Sequence, residues 1–94
     1  MQVQSYNEIE IANKLQSLAG WHYVNACLNK KFVFKNFSEA FAFMTRVAIE
    51  AEKLNHHPNW SNVYNQVEIN LNTHSAKGIT ELDFVLAEKI NQLT

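Results

Sequence analysis

The chain has 94 residues, a formal charge of −1 and 47% hydrophobic side chains, the balance of one ordinary globular domain spanning residues 1–94, without room for a second. Its lysines and single arginine are scattered and sum to no positive field, which argues against direct nucleic-acid binding. Cys27 is the only cysteine and cannot close an internal disulfide, no apolar run nears the ~20 residues of a membrane crossing, and Met1–Ser5 lacks the charged and apolar regions of a signal peptide, so a soluble cytoplasmic protein is expected.

Ser5 followed three residues later by Glu8 forms a capping box, and Ile11, Ala12, Leu15, Leu18 and Ala19 recur at helical spacing until Gly20. A first helix is expected from about Tyr6 to Ala19. Trp21–Val24 and Lys31–Phe34 are β-prone runs on either side of Asn25–Lys30, an antiparallel pair with a modest loop in which Phe32 and Phe34 share a face. Asn36 with Glu39 caps the strongest helical signal, expected from about Phe37 to Leu54 and about 27 Å long. Phe37, Ala40, Phe41, Met44, Val47, Ala48, Ala51 and Leu54 make its apolar stripe, with Glu39, Arg46 and Lys53 opposite and Glu52 at the border. Ala42 and Ile49 are apolar on the polar side, which fits either a contact with another subunit or scattered exposed apolar residues.

This helix must end before Pro58, because the residue preceding proline is pushed out of the α region, and His56 and His57 therefore sit at its exit. Asn62–Tyr64 and Val67–Thr73 read as a hairpin about Asn65-Gln66. Val67, Ile69, Leu71 and Thr73 alternate with Glu68, Asn70 and Asn72, the pattern of a strand packed on one face only. Thr80 with Asp83 caps a last helix carrying Phe84, Ala87, Ile90 and Leu93, or Leu86, Ile90 and Leu93, on its apolar side. The order α-β-β-α-β-β-α is that of an α+β fold: a four-stranded antiparallel sheet with three helices packed on one face.

Three of the four histidines lie between Glu52 and His74. Histidine is the side chain whose ordinary pKa is within reach of neutral pH, so this segment is the candidate active site. Glu52 and His56 are four apart, the spacing at which a carboxylate reaches the imidazole that follows it on a helix. His74 ends a strand and can join them only through the tertiary fold. Zinc is the rival use of Glu52, His56, His57 and His74, but a helical His-x-x-x-His pair is absent and adjacent histidines diverge, so metal-free chemistry is preferred. His22 reads as a strand or surface residue and Cys27 as a buried free thiol.

The run Glu52-Lys-Leu-Asn-His56-His57-Pro58-Asn-Trp60-Ser-Asn62-Val63-Tyr64, then Thr73-His74, Gly78-Ile79-Thr80 and Asp83, closely resembles the pterin-4a-carbinolamine dehydratases. Phe41–Ala48 and Gly20-Trp21 are similar to that family too, so the likeness runs from about Gly20 to the final helix. The resemblance implies a cofactor-free and metal-free dehydration of 4a-hydroxytetrahydropterin to quinonoid dihydropterin and water, recycling the pterin of aromatic amino acid hydroxylases. It also implies homodimers that pair into homotetramers. By position, the family's catalytic set falls on His56, His57, His74 and Glu52, and substrate binding on Trp60, Asn62, Thr73 and Asp83. His57 and His74 are the preferred proton-transfer groups, with His56 binding the pterin or sharing the role. Two positions depart from the pattern: Asn55 stands where members commonly carry an acidic residue, and Leu82 where some carry arginine. The alternative implied by the same likeness is a non-enzymatic partner of a homeodomain transcription factor, docking through a helical face such as that of Ala42 and Ile49.

Overall fold

The computed structural model describes residues 4–94, so the sequence reading of Met1–Val3 falls outside the described residues. The elements run α1 (Glu8–Leu15), β1 (His22–Val24), β2 (Cys27–Val33), α2 (Phe37–Leu54), β3 (Asn59–Val63), β4 (Gln66–Leu71), a 3-10 turn at His74–Ala76 and α3 (Glu81–Gln92). The four strands form one antiparallel sheet, as the sequence pattern predicts, in the order β1-β2-β4-β3. Among the described residues no helix is long and apolar enough to cross a membrane.

One face of the sheet carries the core. Leu28 and Phe32 of β2 and Val67, Ile69 and Leu71 of β4 alternate inward and meet Ala40, Phe43, Val47 and Ala51 of α2 and Leu86, Ala87 and Ile90 of α3. The opposite residues, Lys31, Val33, Gln66 and Glu68, are exposed. The alternation read for β4 is therefore the pattern observed.

Local signals set most boundaries and the structure shifts a few. Two capping boxes overlap near the N-terminus, and the one used is Asn7 with Glu10, not Ser5 with Glu8, so α1 starts two residues later than the first cap implies and stops at Leu15. The chain then turns until Gly20, whose φ of +84° is open to glycine and where an added Cβ would come within 2.7 Å of Lys30 Cε. The loop expected at Asn25–Lys30 shrinks to Asn25-Ala26, both left-handed at φ 52° and 63°, as a two-residue hairpin requires. The second hairpin turns at Tyr64-Asn65, one residue earlier than expected, with Tyr64 at φ 53°.

Helix α2 has the predicted bounds, with Asn36 Oδ1 accepting from Glu39 N at 2.9 Å. Its buried stripe is rotated. Phe43 inserts between Phe32 and Phe34, with ring centroids 4.8 Å from each, while Phe37 and Phe41 stay 51% and 56% exposed. Phenylalanine on both sides of the helix leaves hydropathy without a preferred face there, and the pair already on β2 decides it.

Candidate active site

The site begins with the way α2 stops. Asn55 adopts the left-handed conformation (φ 49°, ψ 44°), its N–H donates to Glu52 O, and His56 N–H donates back to Ala51 O at 3.0 Å. These two bonds are a Schellman termination with asparagine in the place usual for glycine. The turn sends consecutive histidines in opposite directions.

His56 turns inward and is 8% exposed. Its Nε2 lies 2.5 Å from Asp83 Oδ1, and Asp83 is fully buried. Asp83 is held in turn by the start of α3: its Oδ2 accepts from Thr80 N at 2.9 Å and from Thr73 Oγ1 at 2.8 Å. Three donors thus face two oxygens, an arrangement that satisfies a carboxylate, so the His56 Nε2 position carries the proton. Among the described residues no fully buried side-chain nitrogen or oxygen lacks a partner. Among the described residues the other ring nitrogen of His56 has no hydrogen-bond partner, so it is one of the polar atoms that keep some contact with solvent.

His57 turns outward. Its Nε2 meets Glu52 Oε1 at 2.6 Å, with the two side chains 55% and 76% exposed. This corrects the expected pairing of Glu52 with His56: the i,i+4 rule holds only while the helix continues, and this one has already reversed at Asn55. His74 opens the 3-10 turn that follows β4 and is exposed. That loop is pinned by Thr73 N–H to Gly78 O at 2.8 Å and Gly78 N–H to Thr73 O at 3.3 Å.

His56, His57 and His74 line one open cavity of about 310 Å³, together with Asn55, Asn72, Thr73, Ser75 and Leu82. The fold therefore brings the imidazole at the end of β4 beside the two at the exit of α2. Asn55 and Leu82, the two departures from the family pattern, both line this space. Asn72 and Ser75 escaped the sequence reading; only their positions beside Thr73 and His74 point to them.

The residues expected to bind substrate distribute differently. Asp83 has no exposed surface and both its oxygens are occupied, so it acts behind His56 and not on a ligand. Thr73 borders the cavity but gives its hydroxyl proton to Asp83. Asn62 pairs with Val67, six residues along β4 from Thr73 and so about 20 Å away along the strand. Its amide is committed to Tyr64 O and Gln66 O of the hairpin turn. Trp60, opposite Ile69, packs against the core. Neither lines the cavity, because β3 carries both away from the strand end where His74 sits.

Cys27 lies beside this region. Asn72 Nδ2 approaches its Sγ at 3.5 Å, and burial followed by the charge of Asp83 pushes the thiol above its ordinary pKa, so it stays protonated at neutral pH. Among the described residues no three His, Cys, Asp or Glu side chains are grouped to hold a metal ion. His56 and His57 are each turned to a separate carboxylate.

Comparison with known proteins bears on the family and the overall fold. The family model for pterin 4 alpha carbinolamine dehydratase matches residues 4–93. A relative from Christiangramia forsetii, named for that family, is 51% identical over 87 residues, 93% of this chain and 90% of its own. Another from Mesorhizobium japonicum is 55% identical over 83 residues, 86% of this chain and 85% of its own. The crystal structure of transcriptional coactivator/pterin dehydratase from Brucella melitensis superposes with a TM-score of 0.93 at 44% identity, covering 96% of this chain and 98% of that one. Spanned by the family model almost end to end, the chain belongs to the pterin 4 alpha carbinolamine dehydratase family.

Proposed function

We propose that this chain dehydrates 4a-hydroxytetrahydropterin, of which 4a-hydroxytetrahydrobiopterin is the biological form, to quinonoid dihydropterin and water, with its imidazoles as the acid and the base. The observation that carries the reading is the meeting of His56, His57 and His74 at one cavity of about 310 Å³, within the range of small-molecule sites. The reaction is a lyase step. A proton goes to the C4a hydroxyl, the C4a–O bond breaks with its electron pair leaving as water, and the N5 proton passes to a base.

His57 and His74 are the exposed imidazoles and supply these two transfers in either order. Glu52, through its bond to His57 Nε2, orients that ring. His56, fixed by Asp83, holds the pterin from below. Each proton transfer contributes about 10²–10⁴ in rate.

Self-association is part of the proposal. Phe37, Phe41 and Ile49 leave an exposed apolar face on α2, beside the exposed Ala42, that suits a second copy of the chain in a homodimer or homotetramer. The same face supports the second reading, a protein-binding role, to which the name of the Brucella melitensis relative lends weight.

The test is absorbance after mixing with freshly generated 4a-hydroxytetrahydropterin. The proposal expects dehydration faster than the spontaneous loss of water, unaffected by a chelator. A rate no faster than the spontaneous one leaves an interaction protein, and activity that vanishes with chelator and returns with zinc would replace the metal-free mechanism.

A further inference from the structure

Behind His56 the hydrogen bonds continue past Asp83 into a chain with a fixed direction. Asp83 as a carboxylate has no proton to give, so the single hydroxyl proton of Thr73 must go to Asp83 Oδ2, 2.8 Å away. The 2.8 Å bond between Thr73 Oγ1 and Thr80 Oγ1 is therefore donated by Thr80. Thr80 Oγ1 in turn accepts the backbone N–H of Leu82 at 3.2 Å. Polarity thus runs one way from the first turn of α3 through two hydroxyls to the carboxylate, which His56 Nε2–H meets as a donor from the opposite side. Every side chain in the chain is at least nine-tenths buried: Thr80 0%, Asp83 0%, Thr73 5% and His56 8% exposed.

Buried hydrogen bonds in series polarise one another, each strengthening the next. We infer that Thr80 is a positioning residue for the reaction: its hydroxyl, acting through Thr73 and Asp83, sets how tightly Asp83 grips the Nε2–H of His56 at the cavity. The inference rests on the dehydratase reading for its catalytic consequence only. A helix cap needs an acceptor for Leu82 N–H, but it does not need that acceptor to donate to a second hydroxyl that itself holds the carboxylate of a histidine. Removing the Thr80 donor leaves Asp83 less stabilised as an anion, so it grips the His56 proton harder. The midpoint of the His56 titration then rises. The other ionisable groups facing this region are His57 and Glu52 at the exit of α2, His74 after β4, and Cys27 of β2. Among the described residues none of them shares a hydrogen bond with Thr80.

The experiment compares wild type, Thr80→Val and Thr80→Ser by NMR titration of the histidine ring protons and by the pH profile of dehydration. Thr80→Val is expected to raise the His56 midpoint relative to wild type and, because His56 holds the pterin, to raise KM roughly three- to ten-fold with kcat little changed. Thr80→Ser, which keeps the hydroxyl, is expected to behave as wild type. A lost cap lowers Tm for either reading and decides nothing. Should Thr80→Val not fold, the wild-type hydroxyl proton serves: it is expected to exchange slowly and to shift in step with His56. A folded Thr80→Val with the wild-type His56 midpoint, or a Thr80 hydroxyl that ignores that titration, overturns the inference. An inactive wild type would remove the dehydratase reading, while the His56 titration still tests the hydrogen-bond chain.

Discussion

Two neighbouring histidines each hold a carboxylate, at 2.5 Å and 2.6 Å, yet the pairs are different physical objects. His56–Asp83 has side chains 9% and 0% exposed and is embedded in the hydroxyls of Thr73 and Thr80, whereas His57–Glu52 has side chains 55% and 76% exposed. In a low-dielectric setting a broken pair leaves a charge without a partner, while at the surface water replaces it. The buried pair is thus expected to hold the site in shape and the exposed pair to exchange protons with substrate. One residue, the left-handed Asn55, makes the difference by sending the two rings in opposite directions.

That division can be broken most sharply at the exposed end. His57→Ala or His74→Ala is expected to cut kcat by about 10²–10⁴ with a stability change within about 0.5 kcal/mol, checked by the dehydration assay beside thermal denaturation. A large fall in Tm for either variant would erase the distinction. At the buried end the expectation reverses in kind: Asp83→Ala should destabilise by about 3–5 kcal/mol, read by urea denaturation, because His56 and two hydrogen-bond donors lose their acceptor together.

Glu52→Gln probes the exposed pair directly. It should lower kcat by about tenfold through the loss of His57 orientation, yet change stability by less than ~1 kcal/mol. A further variant tests a phenol–carboxylate pair remote from the cavity. Tyr6 donates to Glu81 Oε2 at 2.5 Å, and that bond, with lesser help from burial and from the charges of Glu81 and Glu10, raises the phenol to about 12. The folded pKa lies above the unfolded value, so this contribution is complete below pH 10 and is lost as the pH rises toward 12. Tyr6→Phe should cost about 0.5–1 kcal/mol at neutral pH and flatten the alkaline limb of the stability profile, with dehydration unchanged.

The parts of the fold legible in the sequence are those fixed by neighbours along the chain. The Asn36 cap and Pro58 bounded α2, the alternation of β4 fixed its buried face, and Thr80 with Asp83 started α3. Illegible were choices between equal local signals. Ser5-Glu8 and Asn7-Glu10 are both capping boxes, and nothing along the chain ranks them. Phe37, Phe41 and Phe43 dress two sides of α2, and only the rings of Phe32 and Phe34 select Phe43. At the site, the sequence marked the three imidazoles but paired Glu52 with the wrong one: the helical rule carried it to His56 because it ignored that asparagine, like glycine, tolerates the left-handed turn. Asp83 read as a ligand to substrate because a buried carboxylate and a cavity carboxylate look alike in one dimension.

The most direct test of this account is a crystal structure with bound dihydropterin. The predicted result is the ring in the cavity, an imidazole nitrogen of His57 or His74 about 3 Å from the C4a or N5 region, and His56 Nε2 still on Asp83. A pterin seated elsewhere, or a His56 swung off Asp83 to reach C4a while His57 and His74 stay clear of the ring, would contradict it.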